Sequence, residues 1–124
     1  MWLCVGKTAR IAVRVNPDFD LKGSGMRMGG GAKPFGVDAA RAPALVREIV
    51  ASSAAEWRGF HIFAGSQSLD SAAIVEAQVA TLALALELSA ESGAMAPTVN
   101  LGGGFGVPYF AGDRPIDLLS LIHI

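Results

Sequence analysis

Apolar and polar positions alternate, then recur at helical spacing, then alternate again along most of this chain. Residues 11–16, Ile-Ala-Val-Arg-Val-Asn, alternate with period two, and Pro17, which has no ladder donor, closes them. A strand there puts Ile11, Val13 and Val15 on one face and Ala12, Arg14 and Asn16 on the other. The first face reads as core. The second carries a guanidinium at mid-strand, a costly place without an acceptor; a structural ion pair and a site-lining role fit Arg14 equally. A helical period follows from Asp38, as N-cap, to about residue 55. Leu45, Val46, Ile49 and Val50 form its inner stripe, and Arg47 and Glu48 point outward. Pro43 falls near enough to the first turn to be tolerated. Residues 59–64 make a second strand. A helix over residues 71–92 has Ser68 and Asp70 as candidate N-caps and Gly93 as its stop. Residues 97–101 make a third strand.

A helix in each of two crossovers argues for parallel strands. Three strands alone leave bare edges and a small core. An open doubly wound sheet and a (β/α)8 barrel both fit; Arg14 and His61, polar residues near strand ends, favour the barrel, whose sites lie at the C-terminal face. Composition points to an incomplete body. The chain of 124 residues is 52% hydrophobic and 17% charged, with a mean hydropathy of +0.43, more apolar than a small domain with its large surface requires. No uninterrupted apolar run approaches the ~20 residues of a membrane span; the richest, residues 79–88, is flanked by Glu76, Gln78 and Glu91. The chain therefore reads as a piece from the interior of a larger α/β protein, with strands buried on both faces. Its 10 basic and 11 acidic residues are interspersed, which leaves no basic stripe for nucleic acid. The single Cys4 excludes an internal disulfide framework, and no cysteine–histidine spacing suits a metal. Residues 1–7 lack the charged start and apolar core of a signal peptide, so cytoplasmic placement is the default.

Candidate chemistry gathers in two glycine-bearing stretches, residues 59–67 and 100–106. Period two along the second strand groups His61, Phe63 and Gly65 on one face and Phe60, Ile62 and Ala64 on the other. Ser66 and Gln67 follow, where loop residues point into a barrel mouth. A histidine satisfied by a backbone carbonyl is the plain reading of His61; beside Gly65-Ser66-Gln67, a hydroxyl, an amide and free backbone donors also suit an anion. Gly102-Gly103-Gly104 cost conformational entropy and pack nothing, and in return offer a nest of N–H groups for a phosphate oxygen. Phe105 and Tyr109 either cover a ligand or pack. Residues 18–34 form a glycine-dense loop that matches neither the Walker A pattern nor the dinucleotide fingerprint; it reads as a rim or lid that admits a small hairpin.

At these residues the chain resembles the fold-type III pyridoxal-phosphate decarboxylases, the group of diaminopimelate, ornithine and arginine decarboxylases. Arg14-Val15-Asn16-Pro17 is similar to that family's R-[IV]-N-P strand and Phe35-Gly36-Val37 to its K-F-G-[IV] element. Residues 59–67 resemble G-x-H-x-H-[IV]-G-S-Q, and residues 101–109 resemble G-G-G-x-G-[IV]-P-Y. The wording Phe-His-Ile-Phe-Ala-Gly-Ser-Gln also resembles the subgroup associated with exosortase and exopolysaccharide gene clusters.

The resemblance covers roughly residues 11–110. It implies a partial (β/α)8 TIM barrel of the alanine racemase-like type, about three central βα units, with all 124 residues a fragment of the pyridoxal-phosphate-binding domain. It implies that Gly102, Gly103, Gly104 and Ser66 hold the cofactor phosphate, and that Phe63 stands where the family has the histidine that stacks on the pyridine ring. His61 matches the first histidine of that pair and Arg14 the arginine of the strand motif. Pro34 stands where the family has lysine, with Lys33 beside it. No catalytic residue is assigned: Lys7, Lys22 and Lys33 lie in a terminus and a loop, and the family's Schiff-base lysine belongs to an earlier strand. The resemblance further implies an amino-acid substrate and a homodimer, with no nucleic-acid or membrane partner. Residues 119–124 do not continue it and read as a non-native tail, so His123 is given no role. Two rival readings stand beside this one: a non-catalytic or regulatory homologue that binds the cofactor, and an unrelated phosphate-binding βα protein.

Overall fold

The computed structural model describes residues 6–19, 26–27 and 34–122. Four parallel strands, β1 (Ala9–Asn16), β3 (Val37–Asp38), β4 (Ala55–Ile62) and β6 (Thr98–Asn100), form one sheet in the order β3-β1-β4-β6. A single 3-10 turn (Ala39–Arg41) leads into α1 (Ala42–Ala51), and α2 (Ser71–Ser92) connects β4 to β6. The two-residue strands β2 (Met26–Arg27) and β5 (Gly65–Ser66) pair antiparallel, and α3 (Leu118–Ile122) ends the described chain.

Both crossover helices lie on the same face of the sheet. Val13 and Val15 of β1 and Phe60 and Ile62 of β4 are buried there with Ala42, Val46 and Ile49 of α1 and Ala85 and Leu88 of α2. Each valine, leucine, isoleucine or phenylalanine among them that is removed from water contributes roughly 1.5–3 kcal/mol, and each alanine less. Successive strands β1, β4 and β6 are also spatial neighbours. A doubly wound sheet reverses direction and puts helices on both faces; here both crossover helices lie on one face and β1, β4 and β6 follow one another in sequence order, which is the winding of a barrel.

Several boundaries differ from the periodic reading. α1 ends at Ala51 rather than near residue 55, because Ser52 turns extended and residues 55–57 pair with Ala9, Arg10 and Ile11 of β1. Val50, expected on the inner stripe, is 55% exposed. The register between β1 and β4 slips by one residue opposite Ile11 and Ala12, so Arg58 is an extra residue on β4. That bulge shifts the alternation: Trp57 and Phe60 both turn to the helix side, where their rings meet edge to face at 5.0 Å. β3 was not anticipated. It is too short for a periodic signal and exists through its pairing of Val37 with Val15 and Asp38 with Asn16.

α2 matches its expected span, with Asp70 accepting from the Ala72 and Ala73 amides at one end and Gly93 left-handed at the other. Its final turns carry serines that hold the exit: Ser89 Oγ donates to the Ala85 carbonyl and accepts from the Ala96 amide, and Ser92 Oγ accepts from the Ala94 amide. By length and composition α2 could cross a bilayer, although it contains no unbroken apolar run of that length. Here it is a crossover helix with Ile74, Ala85 and Leu88 buried and Val79, Leu82 and Leu86 exposed.

Gly59 of β4 pairs with Thr98 of β6 and lies close against it. Its φ is +119°, and a Cβ there would run into the Thr98 carbonyl. Gly59→Ala should therefore cost about 3 kcal/mol or more. Gly93→Ala, with φ +74° and open space around it, should cost only about 1 kcal/mol. Urea denaturation of both variants checks the contrast.

Candidate functional site

The strand pairing brings Arg14 and His61, both anticipated, together with Asn100 on the face opposite the helices. Arg14 pairs with His61 and His61 with Asn100, so three neighbouring parallel strands present them at one level. Parallel strands in register point paired side chains the same way. Below this row lie Ala12, Gly59 and Thr98, also mutually paired, which are small. Above it β4 leads to Phe63 and β6 to Gly102, and these touch: a Cβ on Gly102 would lie 2.7 Å from Phe63 Cδ2.

Arg14 is held by an aromatic ring. Its guanidinium carbon stands 5.0 Å from the centroid of Phe35, a cation–π contact. Phe35 reaches that position because Gly36 lies so close to β1 that a Cβ there would be 2.9 Å from the Arg14 carbonyl oxygen. The Phe-Gly-Val element thus has a local purpose: Phe35 covers Arg14, Gly36 permits the approach and Val37 joins the sheet. The pKa of His61 is lowered from its ordinary 6.5, first by burial and then by the positive charge of Arg14. The imidazole is accordingly neutral at physiological pH, with one nitrogen that donates and one that accepts.

After β6 the backbone makes an arch that other residues do not readily adopt. Gly102, Gly103 and Gly104 have φ of +80°, +98° and +104°. The Gly102 amide donates to Asn100 Oδ1 at 2.9 Å, the Ser68 amide donates to the Gly104 carbonyl at 3.1 Å, and the Gly106 amide donates to the Ser68 carbonyl at 2.7 Å. Ser68 is fully buried and forms a parallel bridge with Phe105, so it clasps the loop after β4 to the loop after β6. Among the described residues, the N–H groups of Gly103 and Gly104 have no partner. Gln67, just before the clasp, is the one non-glycine residue with positive φ among the described residues, at 60°.

Of the anticipated residues, Arg14, His61, Phe63 and Gly102 to Gly104 share the C-terminal side of one sheet face. Ser66 lies in β5, where its backbone pairs with Met26; its neighbour Gly65 and Gly103 line a common cavity of about 10 Å³, room for no more than one water. Of the glycine-dense loop, Met26 and Arg27 form β2 and pair with Ser66 and Gly65; most of the segment read as a rim, lid or small hairpin lies outside the described residues. Sequence reasoning passed over Asn100 and offered Ser68 only as a helix cap, a role that Asp70 takes. The available signal was an asparagine two residues before a glycine, the spacing at which its side chain caps a backbone amide. Lys22, Lys33 and His123 lie outside the described residues. Lys7 precedes β1, at the end of the sheet away from the arch.

This geometry coincides with relationships to known proteins. The profile of the family described as pyridoxal-dependent decarboxylase, pyridoxal binding domain, matches residues 4–123. The chain belongs to that family. It is 34% identical over 112 residues to the L-glutamyl-[BtrI acyl-carrier protein] decarboxylase of Niallia circulans, an alignment of 90% of this chain and 26% of that protein. It is 31% identical to the diaminopimelate decarboxylase of Thermoplasma acidophilum, over 93% of this chain and 29% of the relative. The crystal structure of diaminopimelate decarboxylase from Helicobacter pylori complexed with L-lysine superimposes with a TM-score of 0.75 at 31% identity, covering 94% of this chain and 29% of that one. The chain thus spans under a third of the length of these relatives.

Membership brings pyridoxal phosphate as the family's cofactor, and the residues present fit part of it. Unpaired Gly103 and Gly104 amides suit phosphate oxygens, and an aromatic ring and a cation lie on the same face. A lysine to bond the cofactor is not found on the described strands.

Because the folded state binds a proton at His61 more weakly than the unfolded chain does, His61 contributes stability that is fully present above 6.5 and is lost as pH falls through its lowered folded value. Melting temperatures of the chain and of His61→Gln from about pH 8 to about pH 5 should therefore converge or cross as the pH drops. A constant difference across that range would contradict this account.

Proposed function

We propose that this chain is part of the cofactor-binding barrel of a pyridoxal-phosphate-dependent amino-acid decarboxylase, and that it supplies the phosphate side of the cofactor site. The observation that carries the reading is the pair of unpartnered amides of Gly103 and Gly104 at the C-terminal end of the sheet, on the face that also holds Phe63, His61 and Arg14. When bound, the cofactor supplies the electron sink that accepts the pair left by departing CO2. The chain's residues bind and orient. Gly103 and Gly104 donate to phosphate oxygens. Phe63 offers a ring face for stacking but neither proton nor charge. Neutral His61 can hold or pass a proton at a ring nitrogen, and Arg14 keeps positive charge on the same row.

The proposed substrate is a diaminopimelate- or ornithine-like amino acid. Diaminopimelate decarboxylases recur among the relatives, and a solved one holds L-lysine. The decarboxylase that acts on an L-glutamyl group carried by a protein shows that the family's substrates extend beyond free diamino acids. A homodimer in the cytoplasm is part of the proposal for the whole protein. The second reading, a homologue that binds the cofactor without turnover, draws on Phe63 in place of the stacking histidine.

Two experiments test the proposal. The intact gene product with pyridoxal phosphate should release CO2 from diaminopimelate or ornithine, whereas the 124-residue chain should show no release above a cofactor-only blank; turnover by the chain alone would contradict the division of roles. In the chain, Gly103→Ala places a side chain at φ +98° and should weaken pyridoxal phosphate binding, followed by absorbance, at least about tenfold. Full binding by that variant would remove the arch from the site.

A further inference from the structure

We propose that Asn100 is a positioning residue: by accepting from the Gly102 amide it forms the glycine arch before any ligand arrives and leaves Gly103 and Gly104 as the phosphate donors. The inference rests on the phosphate reading above and alters it at one point. Gly102, expected among the donors, has its N–H committed to Asn100 Oδ1 at 2.9 Å, so its contribution is conformational.

Three contacts hold the arch. At its start, Asn100 is the last residue of β6 and pairs with His61, so the capping side chain stands on the sheet itself. Beneath its first residue, the Phe63 ring fills the space a Cβ on Gly102 would need. At its far end, the Ser68 amide holds the Gly104 carbonyl. Asparagine is disfavoured in strands, and Asn100 is exposed, so burial does not explain it. Its side-chain oxygen closing a turn onto the amide two residues on does. The side-chain type is also apt. Aspartate would accept the same hydrogen bond but add a negative charge beside an anion site, whereas the carboxamide closes the turn without charge.

The test uses the 124-residue chain and NMR of the Gly102, Gly103 and Gly104 amides, titrated separately with inorganic phosphate and pyridoxal phosphate. In the unaltered chain both probes should shift Gly103 and Gly104, while the Gly102 amide stays protected from hydrogen exchange throughout. Asn100→Ala should lose that protection and bind both probes about tenfold more weakly. Asn100→Asp should keep the protection yet bind more weakly, with affinity partly recovered by salt that screens the added charge. Unchanged exchange and affinity in Asn100→Ala would overturn the positioning role alone. Absence of any shift at Gly103 and Gly104 in the unaltered chain would overturn the phosphate reading, and this inference with it. Should circular dichroism show that Asn100→Ala does not fold, Asn100→Ser replaces it: its shorter hydroxyl closes the turn less well, so intermediate affinity supports the role and undiminished affinity overturns it.

Discussion

The register of β1, β4 and β6 is the constraint on which the rest depends. Side chains alternate across a strand, so a slip of one residue would carry the core residues of that strand to the open face and its polar residues into the helices. In the observed pairing Val13 meets Phe60 and Phe60 meets Val99, while Arg14 meets His61 and His61 meets Asn100. Burial and chemistry are therefore set by the same alignment. The apolar rows held against α1 and α2 keep the polar row in place, because the cost of inverting the first exceeds anything the second could recover.

The glycines near the site act as permissions for this alignment. Gly59 lets β4 lie against the Thr98 carbonyl, Gly36 lets the Phe35 segment press on β1, and Gly102 accommodates the Phe63 ring. At each of these positions a side chain would meet protein where the sheet or its loops come closest. Gly103 differs, since a Cβ there would meet nothing within 4 Å. Its positive φ serves the direction of the arch and its amide, not packing, which is the pattern expected where backbone faces a ligand.

Electrostatics on the open face is sparse. Arg14 rests on an aromatic ring, His61 is kept neutral by partial burial and by Arg14, and the surface pairs Arg58–Glu56 and Arg10–Glu56 are exposed, so they contribute at most about 1 kcal/mol. The single positive charge of Arg14 in this row, with two unpaired amides beyond it, makes the C-terminal end of the sheet favourable to an anion. The exposed Val79, Leu82 and Leu86 on α2 agree with the chain spanning only part of its relatives' length.

Much of this was legible from residue order. Period-two alternation at residues 11–16 correctly separated Val13 and Val15 from Arg14, and Asp70 and Gly93 bounded α2 because capping is local chemistry. The motifs around His61 and Gly102 pointed to the family and its cofactor for the same reason: each is a short segment whose backbone demands particular residue types. What the sequence could not announce depended on partners distant along the chain. β4 begins at Ala55 because Ala9 pairs there; Trp57 joins Phe60 on the helix side because the bulge at Arg58 resets the alternation; β3 exists because Val15 and Asn16 provide an edge. The alignment of Arg14, His61 and Asn100 and the clasp from Ser68 to Gly104 belong to the same class. Local sequence determined which segments form elements and which residues carry chemistry, since propensity, caps and turns act within a few residues. Tertiary structure alone decided which of those residues face one another, since register is a property of paired strands and not of either strand by itself.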